Sequence, residues 1–274
     1  MKTEIFVNPA FSHLTDFIQQ IPDDFPHLGD EVYVGRNDVH LIRVHDYVLA
    51  IKYFKRLTLA NRYIFSTFRK PKARRAYEYS CLLINKGITT PEPVAYINCY
   101  KYGMLYKDYY VSLYTSYSPI LDFLKLPVTE SEQALKALAS FIYRVHQAGV
   151  FHQDLTTRNI LYSFAGSKYD FSLIDNNRMR FYPYTFKRGM QNLSRLSLPV
   201  ETIGIVAAEY ARMAKVNDVK TLNAMVFARR RTQIRVALKQ LIKMPLYMLS
   251  ARYRQSSMII RKETNIVPKE AFNK

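Results

Sequence analysis

The spacing of apolar positions changes character several times along the chain. From Glu31 the period is two: Val32-Tyr33-Val34, a polar turn Gly35-Arg36-Asn37-Asp38, then Val39 to Val44 and Val48 to Phe54 predict three antiparallel strands. Pro71 to Lys86 switches to helical spacing, with Pro71 in the first turn, Tyr79, Leu82 and Leu83 as the apolar stripe and Gly87 as the stop. After the rigid turn Thr90-Pro91-Glu92-Pro93, Val94 to Tyr100 and Tyr109 to Thr115 read as two further strands around Tyr102-Gly103. Residues 1–30, interrupted by Pro22, Pro26 and Gly29, read as an edge strand and a turn, and Tyr117-Ser118-Pro119 reads as a hinge.

The second half is mostly helical. Thr129 with Glu132 suggests a capping box, and Leu135, Leu138, Ala139, Ile142 and Val145 follow at helical spacing until Gly149. Ile160-Leu161-Tyr162 and Phe171 to Ile174, joined by Ala165-Gly166-Ser167, predict a hairpin, and Pro199 to Ala214 predicts an apolar helix. From Val219 to Lys262 there are eleven Lys or Arg and no acid. There Arg231, Arg235, Lys239 and Lys243 recur every fourth residue beside Ile234, Leu238, Leu241 and Ile242, a basic amphipathic helix that either meets an anionic surface or packs on the protein. The whole predicts an α+β, bilobal chain: an N-lobe over 1–116, with an antiparallel sheet and one main helix, and a mostly helical C-lobe over 117–274.

Composition narrows the partners. The 274 residues are 49% hydrophobic and 14% aromatic, enough for a sizeable core, and a formal charge of +18 implies a polyanion such as phosphate, nucleic acid or an anionic membrane. Ten tyrosines between Tyr77 and Tyr117 could stack on bases, but in strands such residues serve packing, so no nucleic acid is expected. Cys81 and Cys99 have no metal spacing and read as core residues of a reducing compartment. Neither a leader nor an apolar run approaching the ~18 residues of a membrane span is expected.

The candidate chemistry lies between Phe151 and Asp175. Phosphoryl transfer needs a carboxylate to take a hydroxyl proton, an amide five residues on to hold a metal, and a second carboxylate delivered to that metal by the next strand. Asp154, Asn159 and Asp175 have that spacing, and their hard oxygen atoms suit Mg2+. Upstream, Leu49-Ala50-Ile51-Lys52 resembles the strand whose lysine holds nucleotide phosphates. Glu78 is the only acid between Asp46 and Thr89, which makes it the expected partner of Lys52. Arg36, beside Gly35 in a turn with a single glycine, is read as assisting phosphate closure. His152 is expected to brace the loop and His146 to be packed or half exposed. Asn176 to Ser197 reads as an irregular basic stretch suited to an anionic acceptor, and the cations from Lys55 to Arg75, including Arg56 and Arg62, as a solvated face or a polyanion contact.

With these motifs in chain order, residues 30–215 resemble the bacterial lipopolysaccharide core kinases, which include Kdo kinases and core heptose kinases. The resemblance implies a protein-kinase-like fold that uses ATP and Mg2+ to phosphorylate an inner-core sugar, with Kdo the expected acceptor. It further implies a lipopolysaccharide or lipid A-core partner at an anionic membrane surface, and a cytoplasmic enzyme peripheral on the inner membrane. Gln153 stands where protein kinases carry arginine, and Asn176-Asn177 where they carry Phe-Gly, so an activation-loop phosphate has no ready partner and constitutive activity is expected. The alternatives are a kinase of another small-molecule or protein hydroxyl, and a catalytically silent kinase-like fold that binds polyanions or membrane.

Overall fold

A computed structural model describes residues 2–55, 65 and 69–263, with backbone alone for residue 239 and for 242–263. Arg56 and Arg62 therefore lie outside the described residues, as do the side chains of Lys239, Ile242 and Lys243. The chain divides into two units, Met1–Met225 and Val226–Lys274.

The first unit opens with a six-stranded antiparallel sheet: β1 (Lys2–Val7), β2 (Asp30–Val34), β3 (Asp38–Val44), β4 (Tyr47–Tyr53), β5 (Pro93–Lys101) and β6 (Met104–Leu113), in the order β1-β5-β6-β4-β3-β2. β1 is the expected edge strand, but residues 1–30 also form a helix, α1 (Thr15–Asp24), with Pro22 inside it. Pro22 is tolerated near the C-terminal end because burial of Ile18, Ile21 and Phe25 holds the helix to the sheet core, each such side chain being worth about 1.5–3 kcal/mol.

Helix α2 (Lys72–Asn85) starts after Pro71, which supplies no side-chain cap. The cap comes from β6 instead: the buried Asp108 carboxylate accepts from the backbone N–H groups of Lys72 at 3.0 Å and Ala73 at 3.1 Å, and from Asn98 Nδ2 at 2.7 Å. Burial pushes the Asp108 carboxyl up to about 7 against the pull of these donors. The buried face of α2 is Ala73, Ala76, Tyr77, Ser80 and Leu83, while Leu82 of the expected stripe is exposed.

The helical part contains α3 (Val128–Gln147), α4 (Phe186–Leu193) and α5 (Val200–Ala214), packed around Leu135, Leu138, Ile142, Leu193, Val206 and Tyr210. The Thr129/Glu132 capping box does not form: Pro127 takes the cap position, two residues earlier, so Thr129 lies inside the first turn, and Glu132 pairs with Lys136 at 2.7 Å. Gly149 ends the turn after α3 at φ +74°, where a Cβ would stand 2.6 Å from the Tyr182 carbonyl oxygen. Short strands β7 (Ser118–Pro119), β8 (Val150–His152), β9 (Ile160–Ala165), β10 (Lys168–Leu173) and β11 (Met179–Phe181) complete this part, with β9 and β10 forming the expected hairpin and β8 pairing with β11. The stretch after Asp175 is thus ordered by β11, α4 and a further single turn at Ser194–Leu196. Helix α6 (Asp218–Glu263) carries the basic segment, contains Pro245, and holds the boundary between the two units.

Candidate active site

The loop after β8 is fixed by a histidine. His152 Nδ1 lies 3.0 Å from the Asp154 backbone nitrogen, which can only donate, so Nδ1 accepts and the proton sits on Nε2, donating to the Ile174 carbonyl at 2.9 Å. Burial depresses the imidazole pKa and keeps this neutral tautomer. One ring therefore ties the residue before Asp175 to the backbone of Asp154. Asn192 holds the His152 carbonyl at 2.8 Å, and Arg195 holds that of Gln153 at 2.9 Å.

Asn159 immediately precedes β9 and donates its Nδ2 to the Asp154 carbonyl at 2.8 Å, which leaves Oδ1 as the atom able to bind a cation. Asp175 follows β10 in the left-handed region at φ +60° and ψ +44°, a conformation Asp tolerates better than most side chains. Its Oδ1 lies 2.5 Å from Lys52 Nζ and 2.8 Å from Asn177 Nδ2. Burial alone pushes this carboxyl up, but the Lys52 ammonium outweighs it and holds the group below the usual range. Asp154 stays partly exposed, with Oδ2 at 3.4 Å from Arg178 Nη1.

Two cavities meet at Asp175. One, of about 390 Å³, is lined by Val39, Leu41, Ala50, Leu113 and Leu161, with Lys52 and Asp175 at its polar end. The other, of about 310 Å³, gathers Arg36, Lys72, Asp154, Asn159, Asp175 and Arg178. An apolar slot that opens onto cations and hard oxygen donors fits a base at one end and Mg2+-bound phosphates at the other. Of the residues singled out in the sequence, Lys52, Arg36, Asp154, Asn159 and Asp175 come together. Gly35 does not line either cavity, and the nearest neighbour of a Cβ on it would be the movable Tyr33 ring, with Oη at 2.7 Å.

The expected Lys52–Glu78 pair does not form among the described residues. Glu78 accepts from Lys70 at 2.8 Å and from Arg74 Nε at 2.9 Å, and Arg74 in turn reaches Glu4 at 3.0 Å. The reason is helical phase. Ser80 faces inward and bonds Tyr110 Oη and Asn176 Nδ2, whereas Glu78, two residues away at roughly 100° per residue, falls on the outer side. Being the only acid nearby did not put it on the right face.

Three residues that the sequence placed only within broader stretches, Asn176 and Arg178 in the basic segment after Asp175 and Lys72 in the cationic run from Lys55 to Arg75, also stand at the candidate site. Asn176 is buried and donates to Ser80 Oγ at 2.9 Å and Thr90 Oγ1 at 2.7 Å, bolting the Asp175 turn to α2. Lys72 lines the charged cavity, and both its ammonium and that of Lys52 lie over the Phe54 ring, at 5.5 Å and 5.4 Å. Burial is the main cause of its lowered pKa. Arg178 touches the candidate base. The charge of Lys72 and Arg178 was legible in the sequence, but which members of each run reach the cavity was not.

Fold and site together define a protein-kinase-like phosphotransferase that acts on a hydroxyl acceptor. The chain belongs to the lipopolysaccharide kinase (Kdo/WaaP) family, whose model matches residues 52–216, more than half of its length. The solved structure of WaaP in complex with acyl carrier protein superposes with a TM-score of 0.58 at 14% identity, covering 84% of this chain and 98% of that one. A microcompartment-associated aminopropanol kinase (TM-score 0.46, 12% identity, covering 79% of this chain and 86% of that one) also matches. So does the PknI kinase domain of Mycobacterium tuberculosis (TM-score 0.39, 16% identity, 69% and 74%). No curated protein sequence matches the chain.

Proposed function

We propose that this protein transfers the γ-phosphoryl group of ATP to a hydroxyl of the lipopolysaccharide inner core, with Kdo as the acceptor sugar. The observation that carries the reading is the convergence of Lys52, Asp154, Asn159 and Asp175 on adjoining cavities, one apolar and one charged. Family membership supports the acceptor class. Lys52 would hold nucleotide phosphates, and Asn159 Oδ1 with the Asp175 carboxylate would hold Mg2+, whose charge neutralises the phosphates when it is bound. Arg36 and Lys72 add positive charge to the same cavity and substitute for a glycine-rich cover. Glu78 is left with an indirect role, anchoring α2 through Lys70 and Arg74.

Asp154 is the base. Its carboxylate accepts the acceptor's hydroxyl proton as the oxygen attacks, and Arg178 orients it at 3.4 Å. His152 fixes the backbone on which it stands and does not titrate in the reaction.

The described residues contain no helix long and apolar enough to cross a membrane. We assign the enzyme to the cytoplasmic face of the inner membrane, held there by α6. In support, Ile234, Leu238 and Leu241 are about half exposed at helical spacing, beside Arg229, Arg230, Arg231 and Arg235.

Incubation of purified protein with labelled ATP and magnesium, against separate panels of Kdo-containing lipid A precursors, free sugars and proteins, tests the reading. Label in a Kdo-containing acceptor is expected. Label only in proteins, or in none of the panels, would overturn it.

A further inference from the structure

A third cavity, of about 500 Å³, lies on the other side of Arg178, between the start of α2 and β11. Arg69, Lys70, Arg75, Arg178 and Arg180 line it with Gln153, and no acid does. Lys70 is paired with Glu78 and Arg178 with Asp154, but Arg69, Arg75 and Arg180 form no ion pair among the described residues.

Arg75 is the unusual member. It is 6% exposed, its guanidinium lies 5.7 Å from the centre of the Phe65 ring, and its Nε is buried without a hydrogen-bond partner. Burial first, and then the neighbouring Arg69, lower the guanidinium to about 10, which still leaves it charged at neutral pH. A buried cation with an unmet donor, facing a cavity with two further unpaired arginines, is a costly arrangement unless an oxyanion completes it. Gln153 removes the arginine that kinases usually place here, yet α2 and β11 supply the charge from other directions.

We propose that this cavity is an oxyanion subsite for the acceptor, taking a carboxylate or phosphate carried close to the hydroxyl that is phosphorylated. The proposal rests on the kinase reading above. The link is Arg178: it lines this cavity and the one holding Asp154, and its guanidinium reaches the Asp154 carboxylate. An anion bound by Arg75 and Arg180 is thus separated from the base by one guanidinium, so the enzyme selects acidic acceptors and positions the hydroxyl through their charge.

Two measurements test this on the full-length protein. In the first, inorganic phosphate is titrated calorimetrically into protein already saturated with Mg2+ and a non-hydrolysable ATP analogue, so that the nucleotide cavity is filled. Binding is expected, and the surface variant R69Q/R180Q should weaken it roughly tenfold or more while leaving affinity for the analogue unchanged. Arg75→Lys, which keeps the charge but loses the planar fork, should weaken it too. No binding by wild type, or equal binding by all three proteins, overturns the subsite.

The second compares turnover of an acidic acceptor sugar with that of its neutral methyl ester. For R69Q/R180Q, KM for the acid should rise roughly tenfold with kcat within about twofold of wild type, and the ester should show no change. Loss of phosphate binding with an unaltered KM for the acid would overturn the acceptor assignment and leave a site for free phosphate. If no sugar is turned over, the kinase reading and the acceptor assignment fall together, while the phosphate titration still decides whether the cavity binds oxyanions.

Discussion

In the proposed reaction Asp154 takes the proton and Lys52 holds the phosphates, and substitution separates the two roles. Asp154→Asn keeps shape and the backbone contact from His152 but removes the proposed proton acceptor. Turnover should fall about 10²–10⁴-fold with calorimetric affinity for MgATP unchanged, and near-normal turnover in a folded variant would remove Asp154 from the role of base. Lys52→Ala takes the cation away from Asp175 and should weaken MgATP binding. Glu78→Gln should leave MgATP affinity within about twofold, because the carboxylate engages Lys70 and Arg74 on the outer face of α2. Equal losses in the Lys52 and Glu78 variants would mean that Glu78 swings inward to Lys52 when nucleotide binds.

Among the elements, the helices meet the catalytic loop through a buried polar chain. Tyr210 Oη on α5 lies 2.8 Å from His146 Nδ1 on α3, His146 Nε2 lies 3.1 Å from Asn192 Oδ1 on α4, and Asn192 Nδ2 donates to the His152 carbonyl. Burial depresses His146 to about 4, so the folded protein keeps it neutral through a range where the unfolded chain, near pH 6.5, takes up a proton. More protons on the unfolded state mean that stability rises with pH across this window. It is therefore fully present above about pH 6.5 and is lost as pH falls towards 4, by roughly 3 kcal/mol from this group. Chemical denaturation of wild type and His146→Gln at pH 7.5 and pH 5 checks it: the wild type should lose more stability than the variant. Parallel losses would show that other groups control the acid response.

At the scale of the whole molecule, α6 is expected to carry the protein to its acceptor's surface. Each Lys or Arg near an anionic bilayer contributes about 1 kcal/mol, and the attraction fades beyond a Debye length of roughly 8 Å at physiological salt, so several must act together. Reversal of Arg231, Arg235, Lys239 and Lys243 together should release the protein from anionic vesicles in co-sedimentation, whereas a single reversal should not. Turnover of a delipidated acceptor should persist, because Arg231 and Arg235, the two of these whose side chains are described, line neither candidate cavity. Binding that ignores both salt and the fourfold reversal would move the docking surface elsewhere.

What the sequence by itself determined was whatever local spacing encodes. Period-two alternation specified β2 to β5 and the second half of β6, Pro71 and Gly87 bracketed α2, Gly149 marked the end of α3, and Asp154, Asn159 and Asp175 were legible because the loop and hairpin that position them are continuous in the chain. The tertiary structure decided what depends on distant partners. Asp108, from β6, caps α2 across 36 residues, a bond that no local cap motif encodes. The partner of Lys52 turned on helical phase: Ser80 occupies the inner face of α2, and Asp175, 123 residues away, meets the lysine. The basic cavity around Arg75 joins α2 to β11, and a charge run in sequence does not reveal which of its members are buried, which are paired and which are left facing one space. Local order is a matter of neighbours in the chain, whereas electrostatic partnership is a matter of neighbours in space.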